Sequence, residues 1–165
     1  MVLIDFATLY ERHAAEVLRF SFWLCGDRTL AEDITAETFV RVWTARERVD
    51  LATVTGYLLA IARNLFLQGI ARERRRGELE SEPADAAPDP HRRAEERDEL
   101  AAVIADMGAL AEPERAALLM RATADIPYAD IASALGISEG AAKVKVHRAR
   151  LKLAEARLRR EGVTP

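Results

Sequence analysis

Large apolar side chains in the first 76 residues recur every three or four positions, which is the spacing of one face of an α-helix. The pattern predicts three helices, over about 6–24, 30–46 and 53–76. Gly26 interrupts the pattern between the first two helices, and Thr53 is a suitable N-cap for the third. Because no segment alternates with a period of two for long enough, no strand is expected.

The C-terminal part of the chain predicts four more helices, of which the last two form a helix-turn-helix. The first two cover about 95–107 and 112–123. Pro127 then begins a short helix, Gly136 allows a sharp turn, and Ser138 is a good N-cap for the final helix. The inward face of that final helix consists of apolar residues, most of them small: Ala142, Val146, Ala149 and Leu153. We therefore expect an all-α chain.

The two helical parts are separated by an acidic segment, GELESEPADAAPDP, which covers 77–90. Its three prolines, its acids and its single large apolar residue cannot support a packed element. The chain is thus expected to contain two small domains, a three-helix bundle over 1–76 and a four-helix domain over 94–165. A flexible acidic linker over 77–93 would join them.

Composition narrows the classes of function. The single cysteine, Cys25, excludes a disulfide framework within the chain, and the three histidines lie too far apart for a local zinc motif, so no metal is expected. No nucleophile–base pair or glycine-rich phosphate loop can be assembled, so we expect neither catalytic residues nor a cofactor. Without a signal peptide or an apolar stretch of about 20 residues, the chain is expected in the cytoplasm, with no membrane partner.

Charge is distributed unevenly, although the formal net charge is only −3. Eight basic residues and one acid lie within 143–160, whereas twelve acids and three basic residues lie within 78–114. The outward face of the last helix carries Lys143, His147 and Arg150, which can donate to phosphates and base edges in a major groove. The alternative is an ordinary helical hairpin with a solvated basic face.

Two other helices carry candidate contact surfaces. The second is apolar around most of its circumference, with a charged stripe that includes Asp33 and Glu37. This pattern favours either a central helix wrapped by its own domain or a docking face for another protein. In the third helix, Arg63 and Asn64 precede a basic cluster over 72–76 that suits unpaired bases. The alternative there is a solvated helix whose arginines stabilise its C-terminus.

Three segments of the chain together resemble a known family. The segments are AEDITAETFVRVW (31–43), YLLAIARNLFLQGIARERRR (57–76) and IPYADIASALGISEGAAKVKVHRARLKL (126–153). In order and spacing they are similar to the polymerase-binding, minus-ten and minus-thirty-five motifs of extracytoplasmic-function (ECF) sigma factors, the smallest group of the bacterial sigma-70 family. The resemblance covers both halves, and it implies a factor that binds core RNA polymerase, recognises promoter DNA and melts it, without being a catalyst.

The resemblance also implies roles for particular side chains. Core-polymerase binding falls on Asp33, Glu37, Phe39 and Trp43. Minus-ten recognition falls on Arg63, Asn64, Arg72, Arg74 and Arg75, and the loop 48–55 stands where the family captures a flipped base. Minus-thirty-five recognition falls on Lys143, Val144, His147 and Arg148 at base edges, with Lys145 and Arg150 at the DNA backbone.

The partners implied by the resemblance are core RNA polymerase, promoter DNA and an inhibitor. The contact sites implied on the polymerase are the clamp helices of the largest subunit and the flap. Promoter DNA would be bound both double-stranded and melted. The implied inhibitor is an anti-sigma factor. The residues alone leave two rivals open. One is a stand-alone helix-turn-helix regulator with an N-terminal sensor or dimerisation domain, and the other is an interaction protein with no nucleic-acid role.

Overall fold

The computed structural model describes residues 5–45, 54–77 and 94–163, and all of the regular structure within these ranges is helical. The seven helices are α1 (Phe6–Cys25), α2 (Arg28–Thr44), α3 (Val54–Gly77), α4 (Ala94–Ala109), α5 (Glu112–Ala124), α6 (Tyr128–Leu135) and α7 (Glu139–Arg160). The expected all-α fold is confirmed. The expected linker beyond Gly77, the N-cap at Thr53 and most of the loop 48–55 lie outside the described residues.

The turn between α1 and α2 forms where the sequence predicts it. Gly26 ends α1 in the left-handed conformation, with φ 74° and ψ 8°, which glycine adopts without steric cost. Asp27 then caps α2, because its carboxylate accepts a hydrogen bond from the Leu30 N–H at 3.2 Å. A Cβ atom at position 26 would lie 3.4 Å from Cγ2 of Ile104 in α4, so this turn also touches the C-terminal half.

The helix-turn-helix is formed by α6 and α7. Gly136 ends α6 with φ 66°, and the Ser138 hydroxyl caps α7 by accepting from the Ala141 N–H at 3.1 Å. Three of the four predicted inward residues of α7, Ala142, Val146 and Ala149, are buried. The predicted turn, cap and inner face are therefore confirmed, with Leu153 only half-buried.

One hydrophobic core continues through both halves of the molecule. It joins Phe20 and Leu58 of the N-terminal helices to Met120 and Ile131 of the C-terminal helices. Helix α3 lies between the two groups, because it packs against α1 and α2 as well as against α5 and α6. This position buries residues on more than one face of α3: Gly56, Leu58, Leu59, Ala62 and Phe66.

Arg115 of α5 is buried where the two halves meet. Its Nη1 atom donates to the carbonyl oxygens of Met107, Gly108 and Leu110, at 3.2–3.4 Å, and so satisfies the free carbonyls at the end of α4. Its guanidinium carbon lies 5.9 Å from the ring centroid of Phe66 in α3. Burial lowers the pKa of Arg115 from its ordinary value. One side chain thus connects α4, α5 and α3.

Helix α3 departs from one expectation of the sequence analysis. It is 24 residues long and contains an 18-residue stretch of mean hydropathy 1.2, so by length and composition it could cross a membrane. The expectation that no apolar stretch approaches this length is wrong for α3 taken alone. In the structure α3 contacts four other helices, and 22% of this stretch is buried within the fold.

Candidate nucleic-acid interface

The basic face of α7 is open to solvent. Five of the six predicted minus-thirty-five residues are exposed, and the sixth, Lys145, is half-buried. The five are Lys143, Val144, His147, Arg148 and Arg150. They lie opposite the buried alanines and valine because α7 packs its small side chains on α5 and α6. This arrangement presents cationic donors and one apolar side chain on a single surface, as a helix that enters a major groove requires.

Tyr128, which the sequence analysis did not single out, lies beside the N-terminal end of this face and contacts Lys143. The Arg121 guanidinium of α5 lies 4.6 Å from the Tyr128 ring centroid, and the Lys143 ammonium of α7 lies 5.8 Å from it. The Lys143 ammonium also lies 3.8 Å from a carboxylate oxygen of Glu139. The first predicted base-reading side chain is therefore held by an aromatic ring and a carboxylate.

The predicted minus-ten residues of α3 fall into two groups. Asn64 and the predicted arginines 72, 74 and 75 are exposed. Asn64 and Arg75 are eleven residues apart and so lie on the same face, about 16 Å apart along the helix axis. Asn64 and Arg75 therefore present an amide and a guanidinium to solvent along one face of α3.

Arg63 forms the second group, because it is already paired with the C-terminal half. Its Nε and Nη2 atoms donate to the two carboxylate oxygens of Glu112, at 2.7 Å and 2.8 Å. The two side chains are only 11% and 16% exposed. Glu112 was not among the predicted site residues, since no local pattern indicates a contact between positions that are 49 residues apart.

Helices α1 and α2 together expose an apolar patch beside acidic residues, with Tyr10 on α1 and Val40 and Trp43 on α2. Tyr10, Val40 and Trp43 are each about half exposed, at 48%, 53% and 49%. The carboxylates of Asp33 and Glu37 are exposed on α2. A surface of this kind is typical of a protein interface, where an apolar centre has a charged rim.

The structure places Phe39 differently from the other predicted polymerase-binding residues. Its ring is 2% exposed and packs edge-on against Tyr10 and Phe6, at centroid distances of 4.9 Å and 6.4 Å. Trp43 packs on the same Phe6 ring, at 5.0 Å. Phe39 therefore supports the exposed patch from below and offers little surface of its own.

Metal or thiol chemistry has little support in the part of the chain that the structure describes. No cluster of three or more His, Cys, Asp or Glu side chains that could hold a metal occurs there. Burial raises the pKa of the Cys25 thiol, which donates to the Asp27 carbonyl oxygen at 3.2 Å. A raised pKa lowers the thiolate fraction at neutral pH and with it the reactivity of the thiol.

Each half of the chain matches a known protein family. Residues 9–76 match the family Sigma-70 region 2, and residues 101–153 match the family Sigma-70, region 4. The first match covers most of α1, all of α2 and nearly all of α3; the second covers part of α4, all of α5 and α6 and most of α7.

Curated relatives extend the similarity over nearly the whole chain. The ECF RNA polymerase sigma factor SigL of Mycobacterium tuberculosis is 32% identical over 164 residues, which cover 94% of this chain and 90% of SigL. The ECF RNA polymerase sigma factor SigE of Mycolicibacterium smegmatis is 32% identical over 151 residues, which cover 88% of this chain and 58% of SigE. The chain thus spans little more than half the length of SigE.

Solved structures share the fold. The sigma factor RpoE of Bartonella quintana, solved in complex with the anti-sigma factor NepR, superimposes with a TM-score of 0.74 at 21% identity, over 92% of this chain and 96% of RpoE. CnrH, solved in complex with the cytosolic domain of CnrY, gives a TM-score of 0.66 at 25% identity, over 91% of this chain and 85% of CnrH. With both sigma-70 regions matched in order and SigL similar along its length, the chain belongs to the sigma-70 family of RNA polymerase sigma factors, in the ECF group.

Proposed function

We propose that this chain directs core RNA polymerase to promoters by reading the minus-thirty-five element with α7 and the melted minus-ten element with α3. The observation that carries the proposal is the exposed basic face of α7 in a helix-turn-helix, in the same chain as the region 2 helices. The family acts as a specificity subunit in transcription initiation, so we expect the polymerase to supply the chemistry.

At the minus-thirty-five element, side chains of α7 divide between phosphates and bases. Lys145 and Arg150 contact the backbone, which gives affinity that falls steeply with salt. Lys143 and Arg148 donate to acceptors on base edges in the major groove, each good contact being worth about 1–3 kcal/mol of discrimination. Val144, which is 46% exposed, suits an apolar contact with a thymine methyl group.

At the minus-ten element, α3 binds bases after they leave the duplex. Asn64 offers an amide that can pair with a base edge, and the predicted arginines 72, 74 and 75 contact phosphates. Unstacking the bases costs a few kcal/mol, and binding of the unpaired strand offsets that cost. The loop 48–55 belongs to the same proposal, as the place where a flipped base is held.

Docking on the polymerase is assigned to the exposed patch on α2. Asp33, Glu37 and Trp43 contact the clamp helices of the largest subunit, and Phe39 holds Trp43 in place through Phe6. The helix-turn-helix half contacts the flap. The sigma factor RpoE described above was solved with an anti-sigma factor bound, and by analogy we infer that an anti-sigma factor holds this chain inactive in the cytoplasm.

The domain assignment is part of the proposal. Residues 1–76 bind polymerase and the minus-ten element, 94–165 read the minus-thirty-five element, and 77–93 form an acidic linker between them. The region 2 match gives the N-terminal half a role that a sensor or dimerisation domain would not have, and therefore disfavours the stand-alone regulator.

Run-off transcription with core polymerase on fragmented genomic DNA tests this function. We expect new start sites that appear only when the chain is added and share two sequence elements upstream. Arg148→Ala is expected to remove these products, whereas Arg157→Ala, at an exposed position on the same helix outside the proposed interface, is expected to retain them. Tight, palindrome-specific duplex binding by the chain alone, with no new transcripts, would instead identify a stand-alone regulator.

A further inference from the structure

We propose that Glu139, the first residue of α7, determines specificity by reading, together with Lys143, a single G·C base pair of the minus-thirty-five element. The inference rests on the proposed function of α7 and deepens it. Glu139 lies outside the contact residues assigned above and is an acid on a basic surface. Its carboxylate adds a hydrogen-bond acceptor to a face whose other charged groups are donors.

Glu139 lies on the face of α7 that the proposed function turns toward DNA. Glu139, Lys143 and His147 are spaced by four residues, so their side chains follow one face of the helix. The Glu139 and Lys143 side chains are 56% and 58% exposed. Because residues near the start of a recognition helix are the ones that contact base edges, the carboxylate enters the same groove as the Lys143 ammonium.

The local structure of α7 does not require this carboxylate. The N-cap hydrogen bond is made by the Ser138 hydroxyl, which accepts from the Ala141 N–H at 3.1 Å. The remaining structural role of Glu139 is its interaction with the helix dipole, which stabilises the helix but does not depend on DNA sequence. A sequence-dependent effect of Glu139 would therefore come from contact with a base.

The Glu139–Lys143 pair keeps its capacity for hydrogen bonding. The ammonium lies 3.8 Å from the carboxylate oxygen, beyond hydrogen-bond distance. By contrast, Lys152 of the same helix donates to Glu114 at 2.7 Å. The Lys143 ammonium also lies 5.8 Å from the ring centroid of Tyr128. A donor and an acceptor thus lie side by side on an exposed face, and neither has satisfied the other.

An adjacent donor and acceptor complement the major-groove edge of a G·C pair. Guanine presents the acceptors O6 and N7, and cytosine presents the N4 amine as a donor. Guanine O6 and cytosine N4 are hydrogen-bonded to each other at about 2.9 Å, a separation similar to the 3.8 Å between the charged atoms of Lys143 and Glu139. Lys143 therefore donates to guanine while Glu139 accepts from cytosine. The reversed pair, C·G, would place the ammonium against the N4 amine and the carboxylate against O6.

Two other effects of the carboxylate would not depend on the base pair. Repulsion between Glu139 and DNA phosphates would lower the affinity for every duplex alike. Stabilisation of α7 through its dipole would change folding without changing base preference. Only a contact at a base edge changes the preference at one base pair and leaves the others as they were. The test must therefore compare base pairs within each variant.

The experiment uses the chain in complex with core polymerase and two matched variants, Glu139→Ala and Glu155→Ala. Each variant removes one exposed carboxylate from α7, so both change the net charge equally. Glu155 lies about 24 Å further along the helix axis, outside the proposed interface, and provides the control. Circular dichroism checks that both variants are folded.

The probe is a promoter duplex identified by run-off transcription, with each base pair of its minus-thirty-five element changed in turn to the other three. We expect the wild-type complex to prefer G·C over C·G at one position by about tenfold or more. Glu139→Ala is expected to reduce that preference to within about twofold and to leave the other positions unchanged, whereas Glu155→Ala retains every preference. Wild-type preferences throughout for Glu139→Ala, or an equal change on every duplex, would overturn the proposal.

Lys143→Ala tests whether the two side chains read the same base pair. We expect it to lose the preference at the position where Glu139→Ala loses it. The double variant is expected to lose little more than either single variant, because the two residues act on one contact. Losses at different base pairs for the two single variants would contradict a shared contact.

A second substitution keeps the test decisive if Glu139→Ala is unstable. Glu139→Gln keeps the length of the side chain, but its amide can turn either its oxygen or its nitrogen toward the groove, so we expect the preference to fall to about two- to threefold. A folded Glu139→Gln complex with the wild-type preference contradicts the proposal. A wild-type complex with no base preference anywhere in the element would defeat the proposed function instead, whereas preferences that neither Glu139 variant alters would defeat only this inference.

Discussion

The two helices assigned to promoter DNA, α7 and α3, differ in how much of their reading face is available. Helix α7 presents its basic face to solvent, because small side chains let it pack closely within its own half. Helix α3 lies between the two halves, and Arg63, one of its five predicted minus-ten residues, is tied to Glu112. Of the two helices that the proposed function assigns to DNA, one therefore has an exposed basic face and the other has one contact residue that is already paired.

This difference predicts the order in which the elements are engaged. The minus-thirty-five helix can dock without rearrangement, whereas the minus-ten helix becomes fully available only after the halves separate. In the proposed complex polymerase holds the two domains apart, so we expect modest affinities for the two elements to combine through effective concentration. The isolated chain is accordingly expected to bind duplex promoters weakly.

The largest expected effect is a loss of stability when the contact between the two halves is weakened at Arg115. Arg115→Ala removes three hydrogen bonds to buried or half-buried carbonyls at the end of α4 and the contact with Phe66. We expect the free energy of unfolding to fall by about 3 kcal/mol, measured by urea denaturation with circular dichroism. Arg157→Ala, at an exposed position on α7, is expected to change it by less than about 0.5 kcal/mol. A loss for Arg115→Ala as small as that of the control would show that the two halves do not depend on this side chain.

Arg115 and Glu112 also show where prediction from the sequence stops. Helix positions, the Gly136 turn and the Ser138 cap are encoded by neighbouring residues, and the structure agrees with them within a few residues. The pairing of Arg63 with Glu112 joins positions that are 49 residues apart, so only the packed chain brings them together. Burial of an arginine is rare, and no periodic pattern predicts it for Arg115.

The α2 surface shows the same limit, because the type of a residue in the motif does not determine whether its side chain is exposed. The motif correctly singles out an apolar and acidic helix, but it does not separate Trp43, which is exposed, from Phe39, which lies beneath it. That distinction depends on α1, whose Phe6 and Tyr10 rings cover Phe39.

The next largest expected effect is a loss of promoter affinity when a proposed base contact of α7 is removed. Arg148→Ala is expected to lower promoter-specific affinity of the polymerase complex by about 10- to 100-fold, because a base-edge contact is lost. Fluorescence anisotropy with a labelled promoter duplex measures the change, and a substituted minus-thirty-five element should abolish the difference between wild type and variant. Equal losses on both duplexes would mean that Arg148 contacts only phosphates.

A smaller effect concerns the positioning of Lys143 by Tyr128. Tyr128→Leu removes the ring between Arg121 and Lys143, and we expect a two- to fivefold loss of discrimination at one base pair, consistent with about 0.5–1 kcal/mol for an exposed cation–π contact. Tyr128→Phe keeps the ring and is expected to behave as wild type. If both variants lose affinity equally on every sequence, the hydroxyl contacts the DNA backbone and the ring does not position Lys143.

The central claim is that the chain works as a subunit of RNA polymerase, and co-elution from a size-exclusion column tests it most directly. Purified chain mixed with core polymerase is expected to elute in the polymerase peak at one copy per enzyme. Trp43→Ala is expected to elute largely on its own, since it removes the exposed centre of the α2 patch. If the folded wild-type chain elutes separately from core polymerase at micromolar concentrations of both, the account is contradicted.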